Sequence, residues 1–313
     1  MSRLIAYRLA LALPQLAAVS LVVFLLTYLI PGSPAAAILG ERADPESIAR
    51  LEAQLGLDRN PLVRLGEWFS GAAAGDLGTS ISSALPVTDL LLTRLPATLS
   101  LAFGGMVVAT AAGIGLGVLA GVRPGGPRDR IITAGTSVGL SVPEFWFGLI
   151  LTLLFAVELR WVPVVGYVPL TTDPAAWARG LILPSIALGI GAAALIARQT
   201  RGAMAEALTS RYVDTLTAAG VPRRKIIGYA FKNAMVPVLA TMGITFRILF
   251  ATSLVVEVVF AFPGVGNLLL TSVIGKDFPV VQGGVLIVAA LVIAVNLLID
   301  VGYGLLNPRV RPQ

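Results

Sequence analysis

An all-α membrane protein with six transmembrane helices and a long extracytoplasmic insertion between spans one and two is the fold class this sequence predicts. Three observations predict it. Of 313 residues, 56% are hydrophobic and only 13% are charged, and the mean hydropathy is +0.87, a balance foreign to soluble domains. The apolar residues lie in long runs, and about 20 residues at about 1.5 Å each cross a hydrocarbon core of about 30 Å. The charged residues collect between the runs, with Lys and Arg concentrated in alternate gaps.

Two residue types are missing. Without cysteine or histidine the chain has no disulfide, no thiolate or imidazole metal site, no Ser-His-Asp triad and no Cys-His nucleophile. The formal charge of +6 calls for no nucleic acid, because arginines in the loops of a bilayer protein account for it. The expected organisation is a cytosolic N-terminus and span one in 1–30, an extracytoplasmic helical insertion in 31–96, a five-span core in 97–306 with a cytosolic loop at 198–232, and a cytosolic tail in 307–313.

Span one is the apolar run from Leu9 to about Ile30, behind Arg3 and Arg8. Ala35-Ala36-Ala37 offers the small residues of a signal-peptide cleavage site, but the run exceeds the usual apolar core of about 7 to 15 residues, which favours a retained span. In the insertion, Asp44 reads as an N-cap, Pro45 as the first helical residue and Gly56 as the stop. Ile48, Leu51 and Leu55 recur at helical spacing. Asn60-Pro61 restarts a second short helix through Trp68 and Phe69, an aromatic pair suited to a membrane interface.

The insertion closes with Gly75-Asp76-Leu77-Gly78-Thr79-Ser80, then Arg94-Leu95-Pro96 at the mouth of span two. The glycines permit a tight turn and Pro96 can start a helix. They do not form a phosphate loop, since no Gly-x-x-x-x-Gly-Lys-Ser/Thr is present and Gly275-Lys276 is followed by Asp277. Span two, about Ala97 to Val122, carries Gly113, Gly117 and Gly121 at a spacing of four, a stripe on which another backbone can approach closely.

After the basic turn Arg123 to Arg130, span three runs from about Ile131 to Val157, with Pro143-Glu144 near its middle. A kink at Pro143 could expose carbonyls beside it. An intramembrane carboxylate must face a wet cavity, a partner or a counter-charge, so Glu144 is either a pathway contact or half of a structural pair. Span four covers about Leu181 to Ala197. Span five, about Pro237 to Val258, holds Arg247 near its centre and Glu257 near its outer end. The ten intervening steps are about 15 Å along a helix, too far for mutual neutralisation within it. Arg247 could fork onto a substrate carboxylate, or pair with Glu144, Asp300 or a second subunit. Span six runs from about Gly283 to Leu306.

Between spans four and five, residues 198–232 read as a short helix, a turn at Gly220 to Pro222 and a second short helix. The phrase Tyr212-Val-Asp-Thr-Leu-Thr-Ala-Ala-Gly220, followed by Asn233-Ala234 and Pro237, resembles the cytoplasmic coupling loop of ABC importer permeases, in particular the dipeptide and oligopeptide branch. Asp214 stands where the general pattern has Glu, with Thr215 and Leu216 in place of two alanines. Other phrases are similar to the same family: Gly75-Asp-Leu-Gly-x-Ser80, Arg94-Leu-Pro-x-Thr-Leu99, Ser141-Val-Pro-Glu-Phe-Trp146, Trp161 to Tyr167, and Glu257-x-x-Phe-x-x-Pro-Gly-x-Gly266, read as a structural scoop or outer gate. Arg247 departs from that family, where a small residue is usual.

The resemblance implies a type I ABC importer permease fold and a subunit that is not itself an enzyme. It implies a second homologous permease, two cytosolic ATP-binding subunits, an extracytoplasmic substrate-binding protein and a bacterial inner membrane around them. ATP and Mg would be bound by the ATPase partners, with no cofactor on this chain. Coupling would fall to Arg211, Tyr212, Asp214, Ala218, Ala219, Gly220, Arg223 and Arg224, and the pathway to Glu144, Arg247 and Glu257. The inner segments hold mostly basic residues and three acids, Asp129, Glu206 and Asp214, whereas the outer ones are richer in acids, which puts both termini in the cytosol. A proton-coupled secondary carrier using Glu144, Glu257 and Asp300 as a relay is the alternative. An intramembrane protease lacks its histidine and its paired Gly-x-Gly-Asp and Tyr-Asp signals.

Overall fold

The computed structural model describes residues 2–29, 33–40, 43–162 and 166–306, and the regular elements among them are helical. In chain order these are α1 (Ser2–Leu29), α2 (Pro34–Leu39), α3 (Pro45–Gln54), α4 (Pro61–Ala73), α5 (Val87–Gly121), α6 (Pro127–Ser141) and α7 (Glu144–Leu151), which continues into a π-helical turn (Thr152–Glu158). Then follow α8 (Pro174–Leu208), α9 (Arg211–Ala218), α10 (Arg223–Val259), α11 (Val265–Ile274) and α12 (Phe278–Leu306). Among the described residues five helices are long and apolar enough to cross a membrane, six if α6 and the α7 segment count as one broken span.

Local chemistry sets the short helices where the residues predict them. The Asp44 carboxylate accepts the Ser47 N–H at 2.9 Å to open α3, and Asn60 accepts from Leu62 N–H at 2.9 Å to open α4. Ile48 and Leu51 are half-buried, while Leu55 is exposed.

The long helices depart from the sequence reading at their prolines. Pro96 does not start span two but lies inside α5, and Pro237 lies inside α10, which runs unbroken from Arg223. The second short helix expected after Gly220 is therefore the N-terminal end of a 37-residue helix. Both prolines cost a backbone hydrogen bond, a loss that apolar spans tolerate where neighbouring groups re-satisfy the freed carbonyls. α8 likewise exceeds the expected span at both ends, opening on Asp173, whose carboxylate accepts from Ala175 and Ala176 N–H. Span three is not one helix with a kink: α6 and the α7 segment meet at 101° across Val142-Pro143.

The chain forms two compact units. In Ala97–Phe262 with the chain from Leu298 onward, α8 is the central element. It packs against α6, α7 and α10, and 67% of its most apolar window is buried, against 33% in α10. The glycine stripe of α5 lies on α8. A Cβ on Gly113 would sit 2.7 Å from Ile196 Cβ, one on Gly117 2.7 Å from the Ala197 carbonyl oxygen, and one on Gly121 2.6 Å from Met204 Cβ, so only glycine admits this approach.

The other unit, Ser2–Pro96 with Pro263–Leu297, has its own core of Leu77, Val87, Leu91, Val265 and Val280. At about 25 cal/mol per Å² of apolar area, burial of such side chains contributes about 1.5 to 3 kcal/mol each.

Candidate functional site

The elbow between α8 and α10 is built from α9 and a four-residue turn. Gly220 has φ +72°. Its N–H donates to the Thr217 carbonyl and the next N–H, of Val221, reaches back to Leu216, both at 3.0 Å. This is the Schellman closure of a helix C-terminus, and the left-handed residue within it is cheap only for glycine. Pro222 then caps α10 and sets its entry.

Of the expected coupling residues, Arg211, Asp214, Ala218, Ala219, Gly220, Arg223 and Arg224 are all exposed on this elbow. Tyr212 is the exception. It is half-buried, and its hydroxyl is buried without a hydrogen-bond partner among the described residues. A groove of about 450 Å³ lies on one side of Tyr212, lined by Thr215, Leu216, Tyr229, Lys232 and Asn233. A second, of about 290 Å³, includes Ala203, Glu206 and Pro237. The elbow thus presents a basic, largely unsatisfied surface with recesses at its base.

The expected pathway residues sit higher on the same unit's chain. Glu144 is the first residue of α7, immediately after the 101° break, where the helix N-terminus favours a carboxylate. Its neighbours are Thr252 of α10, within hydrogen-bonding reach, and Gly191 of α8, where a Cβ would come within 3.2 Å of Glu144 Oε1. Arg247 lies five residues before Thr252 on α10. Its Nε is buried and has no hydrogen-bond partner among the described residues, so the structure does not join it to Glu144. The Asp300 side chain lies outside the described residues. Glu257 is fully buried in the last turn of α10, which ends with Phe262 N–H donating to the Glu257 carbonyl at 2.7 Å. The buried Phe262 ring meets Tyr167 edge-on at 5.0 Å.

Two carboxylates organise loops in ways the sequence reading missed. In the second unit, Asp277 is 2% exposed. It accepts Ser80 Oγ–H at 2.6 Å, Ser82 Oγ–H at 2.7 Å, and the Ile81 and Ser82 N–H groups at 3.1 Å. The turn, which lacks a phosphate-loop motif, thus holds an anion supplied by the chain itself. In the first unit, Asp129 is 3% exposed and forms a two-pronged ion pair with Arg201 of α8.

Comparison with known proteins gives one consistent answer. The model of "Binding-protein-dependent transport system inner membrane component" matches residues 113–312, and that of the N-terminal part of such membrane components matches residues 1–102. The dipeptide transport system permease protein DppB of Escherichia coli (strain K12) is 39% identical over 336 residues, covering 99% of each chain. A relative from Brucella abortus (strain 2308), named for a peptide transport system permease, is 38% identical over 312 residues, with 99% of each chain covered. Among solved structures, a chain of the inward-facing MetNI methionine ABC transporter aligns with a TM-score of 0.58 at 21% identity, covering 70% of this chain and 96% of that one. A chain of an amino acid ABC transporter aligns with a TM-score of 0.51 at 16% identity, covering 71% and 95%.

Proposed function

The chain belongs to the family of binding-protein-dependent transport system inner membrane components, and from that premise we propose how it works as the permease of a peptide-type ABC importer. It forms half of a translocation pathway for di- or oligopeptides, a reading supported by relatives named for peptide and dipeptide transport. A second homologous permease forms the other half, two cytosolic ATP-binding subunits drive it, and an extracytoplasmic binding protein delivers the peptide. Nucleotide and Mg stay on those ATPase subunits. The chain crosses the bacterial inner membrane six times, with both termini and residues 198–232 cytosolic and residues 31–96 outside.

The observation that carries the reading is the elbow, on which Arg211, Asp214, Ala218, Ala219, Gly220, Arg223 and Arg224 are all exposed. ATPase closure pushes on it, with Tyr212 as its root, and turns α8 and α10 together. Along the pathway Glu144, Arg247 and Glu257 supply charge. Arg247, with an unpartnered Nε, offers a peptide carboxylate a two-pronged contact.

Reconstitution of the full complex with its binding protein in proteoliposomes tests this. Uptake of a labelled dipeptide or tetrapeptide is expected to require internal ATP, to survive a protonophore, and to fall about tenfold or more in Arg247→Leu, the order expected for a lost charge-assisted contact. Uptake that ignores ATP and collapses with the proton gradient would overturn the reading.

A further inference from the structure

The turn between α5 and α6 is fastened to α8 twice, at neighbouring points. The first fastening is steric. The C-terminal glycines of α5 press on α8, so that a Cβ on Gly121 would meet Met204 Cβ at 2.6 Å and the Arg201 carbonyl oxygen at 2.9 Å; Thr200 and Met204 are fully buried there. The second is ionic. Asp129, in the first turn of α6, reaches back to the guanidinium of that same Arg201, with Nη2 to Oδ2 at 2.7 Å and Nε to Oδ1 completing the fork.

The rest of the Asp129 carboxylate is also occupied. It accepts the Gly125 N–H at 2.7 Å and the Thr133 hydroxyl at 3.2 Å. All four contacts converge on a side chain that is 3% exposed, so the carboxylate is held in one place. A fully exposed pair between long side chains orders little, but here the carboxylate is buried and its lone pairs are satisfied, although the Arg201 side chain is half-buried, and such a fork fixes geometry. The two helices it joins lead to different places. α8 continues from Arg201 to Leu208, about 10 Å, before the elbow begins at Ser210. α6 continues from Asp129 to Ser141, beyond which the chain bends by 101° and places Glu144.

We infer that Asp129 and Arg201 are positioning residues of the transport cycle, which bind α6 to α8 so that thrust received at the elbow moves the break before Glu144. This rests on the elbow being the site of ATPase contact. Neither residue touches substrate or nucleotide. Both are needed because the fork is directional, whereas an apolar contact such as that of Gly139 with Ala194 and Ile190 lets α8 slide past α6.

The chain has no cysteine, so a single cysteine at the exposed Ser141 reports the break directly. In the whole importer, in membrane vesicles, its maleimide labelling rate is measured with and without ADP-vanadate trapping. Trapping should change the rate in the Ser141→Cys parent. In Asp129→Asn and in Arg201→Gln that change should shrink about threefold to thirtyfold. The double variant should be no worse than either single, because the two side chains act as one unit. Vanadate-sensitive hydrolysis by the ATPase subunits should persist throughout.

A full response in assembled Asp129→Asn, or losses that multiply in the double variant, would overturn the inference. Should the neutral variants fail to assemble, Arg201→Lys decides, since it keeps the charge and loses the fork: a reduced response supports the linkage and a full one contradicts it. A parent that hydrolyses ATP yet shows no response to trapping would defeat the elbow reading itself, and the linkage with it.

Discussion

The elbow at 211–225 and the turn at 75–86 draw on similar residues, small and polar ones around glycines with positive φ, and end in opposite conditions. The turn is closed on itself. Asp277 collects four donors from Ser80, Ile81 and Ser82, Val87 N–H returns to the Gly78 carbonyl at 2.9 Å, and Leu77 and Val87 are buried in the core beneath. The elbow satisfies its own backbone through Gly220 but leaves nearly every side chain outward. A loop whose donors and acceptors are consumed internally is architecture; one that completes only its backbone has its side chains free for another molecule.

That contrast breaks most visibly at Asp277. Asp277→Asn leaves hydroxyl and amide donors short of an acceptor and should cost roughly 2 to 4 kcal/mol, read as a lowered thermal midpoint of the purified complex. Burial alone would raise this carboxyl, but the Ser80 and Ser82 hydroxyls and the Ser82 and Ile81 N–H groups outweigh it and hold it below its ordinary value. A depressed carboxylate stabilises fully above its unfolded value and loses that contribution as pH falls through the lower folded one. The gap between the parent and Asp277→Asn should therefore narrow below about pH 4.

At the elbow the same kind of change should act on transport more than on stability. Gly220→Val forces a β-branched residue to φ +72°, a strain of about 1 to 2 kcal/mol confined to the turn. Assembly should survive while peptide taken up per ATP hydrolysed falls about tenfold. Smallest in stability is Asp214→Ala, at an exposed position with no ion pair among the described residues. It should move the thermal midpoint by the equivalent of no more than about 0.5 kcal/mol, yet lower ATP-driven uptake measurably. A variant that destabilised the complex and spared uptake would erase the distinction between the two regions.

What the sequence disclosed follows the range of the forces involved. The caps at Asp44, Asn60 and Gly220 were legible because each is satisfied within about one helical turn. The stripe Gly113, Gly117, Gly121 was legible as a packing face, though not that α8 is its partner. Pro96 and Pro237 misled, since the preference of proline for first helical positions is local, whereas α5 and α10 continue through them. The Asp277 cradle was hidden because its donors lie 195 to 197 residues away. Asp129 and Arg201 are 72 apart, and nothing local distinguishes that pair from other charges at a membrane edge. The bend before Glu144 was foreshadowed by Pro143, but its 101° is set by packing of α6 and α7 on α8.

The central claim is that α9 is the surface a separate ATPase grips. Photo-crosslinking from a benzoylphenylalanine placed at Asp214, in the assembled importer within its membrane, tests it most directly. A covalent adduct to a nucleotide-binding subunit is expected, with a yield that changes on ATP and vanadate trapping. An assembled, hydrolysing complex in which Asp214 captures only lipid or the second permease would contradict it.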